Sequence, residues 1–347
     1  MTPVIISWML IALAVSFFAT RLLVLIVPKW GVVDRPDGER RTHAKAVPLL
    51  GGIAVFVAVT VCVDILLLSG DQLTGGLITT RHYVGFLIGG LILMVGGYLD
   101  DKHRLSPRLA VVAPIIAALI AIASGIQVEK LTNPFGGVIE LAPWQSHVLV
   151  FAWLMGAMYT TKFLDGLDGL ATSVSSVGAF MVMSLALTVA YFQPDVALFA
   201  AIGIGALAGF LFWNVPPAAI FLGEGGSTFV GYLIGTLAVI SGGKIATAAL
   251  VLGIPIMDVA WVILRRWKSG GVKNVFKGDR KHLHHRLLAL GWTSGQVVAG
   301  YTLVAAAFGS AALFLQSREK LLAMLALFGL MLFLAAFLVA RERTSHD

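Results

Sequence analysis

Charge and cysteine are both scarce in this chain. Only 12% of its 347 residues are charged and it holds a single cysteine, Cys62. An ordinary soluble domain carries roughly 25% charged residues, so a water-exposed surface all round is excluded. One cysteine excludes an intrachain disulfide, and Cys62, inside an apolar run, reads as a small apolar side chain. No Lys or Arg precedes the first apolar run, Val4–Val27. That run is too long for a signal peptide and further runs follow, so a retained membrane span is expected there. Basic tracts interleaved with aromatics are also missing, and no nucleic-acid partner is expected. What the chain does have is 58% hydrophobic residues and a formal net charge of +7. In a membrane protein that balance points to anionic headgroups or phosphorylated substrates.

A span needs about 20 apolar residues to cross a hydrocarbon core of ~30 Å. Eleven segments qualify as candidates, near 4–27, 48–68, 83–99, 109–124, 147–163, 172–192, 196–213, 227–241, 245–264, 296–315 and 321–340. The expected fold is all-α, a single polytopic membrane-embedded domain over residues 1–347 with about eleven transmembrane helices. One connection departs from this pattern. Val128–Leu131 and Val138–Leu141 flank Asn133-Pro134-Phe135-Gly136-Gly137, and that alternation around a turn predicts a small outer β-hairpin. The spacings Gly85-xxx-Gly89, Gly205-xxx-Gly209 and Gly231-xxx-Gly235 predict close helix packing. Basic residues set the orientation. Nineteen of the 25 Lys and Arg fall on one side, which is therefore read as cytoplasmic, with the N-terminus out and the C-terminus in.

The carboxylate-rich motifs gather on that same basic side. Acidic groups near a membrane interface are costly unless paired or bound to metal. Carboxylates beside Lys, Arg and His suit a site for magnesium and a diphosphate. Asp100-Asp101 ends the third span. Adjacent carboxylates repel, and such a pair serves either as a solvated helix end or as a proton acceptor and phosphate positioner. Lys162-Phe163-Leu164-Asp165-Gly166-Leu167-Asp168-Gly169-Leu170 places two aspartates three apart, on one face of a helical turn. Gly223-Glu224-Gly225-Gly226-Ser227 opens the eighth span. It reads either as a dipole-favoured acid or as backbone amides near a phosphate with Glu224 near a cation. Gly278 to Leu288 contains His282, His284, His285 and Arg286, with Asp279 as a candidate cap of a short helix ended by Gly291. Its readings are substrate binding, interfacial anchoring, or zinc, which the missing fourth ligand disfavours. His43 and Lys45 lie in a basic first loop that could equally hold lipid headgroups. Asp258 stands alone in an apolar run after Pro255.

These five blocks, in this order from about Gly31 to Gly291, resemble the polyprenyl-phosphate N-acetylhexosamine-1-phosphate transferase family, of glycosyltransferase 4 type. The His282-Leu283-His284-His285-Arg286 block resembles the members that use UDP-N-acetylglucosamine. The resemblance implies a bacterial inner-membrane enzyme with its active site on the cytoplasmic face. It would transfer GlcNAc-1-phosphate from UDP-GlcNAc to undecaprenyl phosphate and release UMP, as the first membrane step of an envelope glycan such as a lipopolysaccharide or teichoic acid. It implies Mg2+, with Mn2+ as a substitute. It assigns Asp100 to activating or positioning the lipid phosphate with Asp101 in support, and Asp168 with Asp165 to the nucleotide–metal site. Glu224 and Asp165 would be metal ligands. His282, His284, His285 and Arg286 would hold the sugar and diphosphate, and His43 and Lys45 the lipid phosphate. Membrane lipids would surround the protein, and a homodimer is compatible with this reading.

The sequence departs from the family pattern at three positions. Asparagines are usual three and six residues before the first aspartate of the Asp-Gly-Leu-Asp-Gly block, where this chain has Lys162 and Tyr159. The acidic metal-ligand position is usually aspartate and is Glu224 here. Lys162 and Glu224 are expected to form a compensating pair around the diphosphate, which puts Lys162 among the substrate-binding residues. Rival readings are the same reaction with another UDP-N-acetylhexosamine (phospho-MurNAc-pentapeptide included), a lipid-binding protein without turnover, and a transporter. A transporter places its charges near the midplane rather than at one face.

Overall fold

A computed structural model describes residues 2–34, 46–242, 245–270 and 282–344. His43, Lys45 and Asp279 therefore lie outside the described residues. The chain is mostly helical. Its helices are α1 (Thr2–Ile26), α2 (Gly52–Ser69), α3 (Thr80–His103), α4 (Pro107–Ala110), α5 (Val112–Ala123), α6 (Pro143–Leu164) and α7 (Leu170–Ala186). They continue as α8 (Pro194–Asn214), α9 (Gly223–Ile240), α10 (Ile245–Val251), α11 (Gly253–Gly270), α12 (Leu283–Ala289), α13 (Ser294–Phe314) and α14 (Ser317–Thr344). Each of the eleven apolar segments is helical. Six helices, α1, α2, α3, α6, α8 and α13, are long and apolar enough by themselves to cross a membrane. A seventh crossing is formed if α10 and α11, bent by 74° at their junction, count as one span. The hairpin is present as antiparallel β3 (Lys130–Thr132) and β4 (Val138–Glu140), held by a 3.2 Å Lys130–Glu140 ion pair. A second two-stranded pair, β1 (Val33–Asp34) with β2 (Val47–Pro48), brackets the first loop.

In lipid, helices gain little from hiding apolar surface from each other, so close van der Waals contact drives their packing. The glycine spacings supply it. A Cβ on Gly205 or Gly209 would lie 2.0 Å from the Met9 carbonyl oxygen or 2.3 Å from that of Leu13, so α8 rides directly on the backbone of α1. Gly231 and Gly235 similarly admit α6, while Gly85 and Gly89 admit α5 and Tyr232. Helix α9 is the buried centre, packed against α2, α3, α6 and α7. Its Tyr232 ring stacks on Phe86 with centroids 5.1 Å apart.

The glycines of the Gly223–Ser227 block have this same purpose. A Cβ on Gly52 would lie 1.9 Å from the Gly226 Cα, and one on Gly97 would lie 2.1 Å from the Gly225 Cα. Gly225 and Gly226 thus let α2 and α3 close onto α9. The backbone seals the junction further: the Gly51 and Gly52 N–H groups donate to the Phe221 and Leu222 carbonyls at 2.8 and 2.9 Å.

Candidate active site

Those contacts carry the ends of α3 and α6 and the start of α9 to one end of the bundle. Asp101, in the last turn of α3, accepts the Glu224 N–H with both carboxylate oxygens, at 3.1 and 3.3 Å. This caps the first turn of α9 with an acid from another helix, which satisfies an orphan amide and suits the helix dipole. Gly223, at φ +74°, leaves no room for anything larger, since its Cβ would lie 2.6 Å from an Asp101 oxygen. The amide expected to face a phosphate is therefore taken by Asp101.

The Glu224 side chain extends the other way and pairs with Lys162 of α6, Nζ to Oε2, at 2.5 Å. The same ammonium sits 5.7 Å from the Tyr159 ring centroid. Tyr159, Lys162 and Glu224, the three positions at which the chain departs from the family pattern, are thus mutual neighbours. A cation over an aromatic face and against a carboxylate is doubly favoured. Asp100 lies within electrostatic reach of Lys162 and of Asp101, and its Oδ1 accepts the Leu105 N–H at 2.9 Å.

Asp165 and Asp168 do not share a helical turn. Helix α6 ends at Leu164 and α7 begins at Leu170, so both aspartates stand in the connection between them. Gly169, at φ +76°, provides the reversal that starts α7. Asp168 accepts the Ala218 N–H at 2.9 Å. Asn214 fastens the same connection from α8, accepting from the Gly169 N–H and the Thr172 hydroxyl and donating to the Ile220 carbonyl. Among the described residues none donates a hydrogen bond to Asp165. Its carboxyl is pushed well above the usual carboxylate range, first by burial and then by the negative charges of Glu224, Asp101 and Asp168.

The histidine block closes the site from α11 and α12. His282 is the N-cap residue of α12, and Gly291 follows its end at φ +91°. The rings of Phe163, His282 and His284 form a stack with successive centroids 5.8 and 5.6 Å apart. His284 is buried, and its ring fills the space beside Gly166, where a Cβ would lie 2.6 Å from His284 Nε2. Burial, followed by the neighbouring His285 and His282, holds its pKa well below the usual imidazole range, so His284 is a neutral packing ring. His285 and Arg286 are partly exposed on the same short helix. Leu283, Leu287 and Leu288 pack on the core, whereas Leu290 is exposed.

Among the described residues no three His, Cys, Asp or Glu side chains converge on one point, so there is no protein cage for a metal and none for zinc. Magnesium rarely needs such a cage. It is usually held through one or two carboxylates together with substrate phosphates and water. Asp165, a carboxylate in a cluster of acids with no hydrogen bond from the described residues, fits that pattern; Glu224 is already paired with Lys162. A cavity of about 910 Å³ opens at the other end of the bundle. It is bordered by Asp71 and Asp195 without any Lys, Arg or His, so it would repel a diphosphate.

Residues 83–242, which include Asp100, Asp101, Lys162, Asp165, Asp168 and Glu224, match the model of glycosyl transferase family 4. A probable undecaprenyl-phosphate N-acetylglucosaminyl 1-phosphate transferase of Bacillus subtilis is 30% identical over 339 residues, spanning 94% of this chain and 91% of its own. The chain belongs to glycosyl transferase family 4. Two further relatives are slightly less similar. An undecaprenyl-phosphate alpha-N-acetylglucosaminyl 1-phosphate transferase of Thermotoga maritima is 29% identical, covering 78% of each chain. A decaprenyl-phosphate N-acetylglucosaminephosphotransferase of Mycobacterium tuberculosis is 29% identical over 83% of this chain and 77% of its own. The resemblance carried by the five sequence blocks is therefore to the family that is found.

Proposed function

We propose that this protein transfers N-acetylglucosamine-1-phosphate from UDP-N-acetylglucosamine to undecaprenyl phosphate and releases UMP. The observation that carries the reading is the meeting of Asp100, Asp101, Lys162, Asp165 and Glu224 at one end of a bundle of membrane-length helices, in a chain whose relatives bear that activity in their names. An oxygen of the lipid phosphate attacks the β-phosphorus of the nucleotide sugar, the bond to the α-phosphate oxygen breaks, and UMP leaves. Both reactants are anionic, so the protein's work is mainly positioning and charge compensation. Asp100 orients the lipid phosphate with Asp101 behind it. Lys162 and Arg286 offer cations to the diphosphate, and His282 and His285 address the sugar side. Magnesium, with manganese as a substitute, fits at Asp165 with Asp168 nearby; when bound it would neutralise phosphoryl charge and orient the diphosphate.

Purified protein given UDP-GlcNAc and undecaprenyl phosphate in detergent micelles should release UMP only when both substrates and a divalent cation are present. Release from UDP-MurNAc-pentapeptide in preference to UDP-GlcNAc would establish the rival donor. Lipid binding without any UMP would establish the non-catalytic reading.

The same proposal places the protein in a bacterial cytoplasmic membrane with eleven spans, the N-terminus outside and the site inside. Nineteen of 25 basic residues on one side support that orientation. Single cysteines at positions 103 and 274 should be reached by membrane-impermeant thiol reagents only from the cytoplasmic side, and one at 135 only from outside. Labelling of 103 from outside would reverse the topology and take the active-site assignment with it.

A further inference from the structure

Asp258 belongs to none of the sequence blocks, yet it is 7% exposed on α11, just after the 74° bend from α10. An ionised carboxylate shut inside a helical bundle needs partners for its oxygens. It has two. Its Oδ2 lies 2.8 Å from His282 Nδ1, and its Oδ1 accepts the Leu283 N–H at 2.9 Å. One side chain therefore holds both the ring of the N-cap residue of α12 and the first amide of that helix. The carboxylate can only accept, so the ring proton resides on Nδ1. Among the described residues the His282 ring makes no further hydrogen bond, so in the neutral imidazole Nε2 keeps a lone pair with no partner among them. Phe163, next to Lys162, and His284, packed on Gly166, clamp the ring on its two faces. Tautomer and ring plane are thus both fixed, at the seam between the Asp165–Asp168 connection and α12.

We propose that Asp258 is a positioning residue that makes His282 a hydrogen-bond acceptor for the nucleotide sugar, with Nε2 receiving an O–H or N–H of the hexosamine. The proposal rests on the transfer reaction given above and names the group that reads its donor substrate.

Asp258→Asn is the informative change. Two donors, Nδ1–H and Leu283 N–H, face position 258, and an asparagine has one acceptor oxygen. If that oxygen keeps Leu283, its NH2 group faces the ring, Nδ1 must become the acceptor, and the proton moves to Nε2. The lone pair offered to the sugar is then replaced by a donor. A wrong histidine tautomer in an otherwise intact site is a severe defect in another enzyme class.

The test combines kinetics with nitrogen-15 NMR of histidine-labelled protein. Asp258→Asn should lower kcat/KM for UDP-GlcNAc at least about 10-fold, the effect of losing one good hydrogen bond to a sugar. KM for undecaprenyl phosphate should stay within about 2-fold of wild type. His282→Asn, whose amide takes the place of Nδ1 and keeps the bond to Asp258, should fold normally and show the same loss. The double variant should be no worse than either single one, because both remove the same contact. The spectra should show Nδ1-protonated His282 in the wild type and Nε2-protonated His282 in Asp258→Asn, and this readout does not depend on turnover. Wild-type kinetics in His282→Asn, losses that multiply in the double variant, or an Nε2-protonated ring in the wild type would each overturn the proposal. A wild-type protein that shows the Nδ1 tautomer but releases no UMP would refute the transfer reaction instead.

Discussion

Asp168→Asn and Asp100→Asn should each lower GlcNAc-1-phosphate transfer by about 10²–10⁴-fold, the usual worth of a well-placed acid or base. Each variant should still insert and fold. Asp168 accepts the Ala218 N–H through one oxygen, which an asparagine oxygen can replace, so the α6–α7 connection survives while the charge is lost. The same holds for Asp100 and the Leu105 N–H. What disappears in each case is one negative charge from a cluster whose members shape one another's ionisation. Initial rates of UMP release, measured on protein whose thermal unfolding matches wild type, check the result. Near-normal turnover in either variant would remove that residue from the catalytic set.

The second large effect is expected at Lys162 and Glu224. An asparagine at position 162 would offer a neutral oxygen to a metal ion, whereas the lysine ammonium has only donors, repels a cation and attracts a diphosphate oxygen. Glu224 reaches one methylene further than an aspartate and meets that ammonium at 2.5 Å. The two substitutions are therefore one unit. Shortening Glu224 to aspartate pulls the carboxylate off Lys162 and leaves the ammonium to the Tyr159 face and the charge of Asp100. Changing Lys162 to asparagine leaves Glu224 uncompensated beside Asp101 and Asp165. Each single variant should lose activity, and Lys162→Asn with Glu224→Asp should recover part of it, since residues in contact violate simple addition of free energies. A double-mutant cycle in kcat/KM for UDP-GlcNAc measures this directly. Losses that add in log rate, or a harmless Lys162→Asn, would mean that Lys162 is not part of the diphosphate site.

Several elements of the site were legible because short patterns carry them. Asp-Gly-Leu-Asp-Gly and the His282–Arg286 block name their own chemistry, and the glycine spacings on α8, α9 and α3 foretold close packing, though not the partners, which are α1, α6 and α5. Other expectations failed for a common reason. Gly225 and Gly226 look like a phosphate loop, but glycine permits close approach to anything, and here the partner is the backbone of α2 and α3. Asp165 and Asp168 match a helical spacing, but α6 stops at Leu164 and Gly169 reverses the chain between the two helices. His284 looks equivalent to its neighbours, yet it turns into the bundle and packs on Gly166, while His285 and Arg286 stay partly exposed. Asp258 carried a weak signal, a lone acid in an apolar run, which says that a partner must exist without saying which residue it is.

By itself the sequence determined the solvent and the class of this protein. Those properties follow from summed quantities: too few charges for water and apolar runs of bilayer length. Only the tertiary structure decided which acid faces which cation. Asp101 to Glu224 spans 123 positions along the chain, Lys162 to Glu224 spans 62, and Asp258 to His282 spans 24. Such pairings are set by how closely helix backbones approach, as at Gly52 against Gly226 and Gly97 against Gly225. No local pattern of residues encodes that distance; it is fixed when α2, α3 and α6 close together around α9.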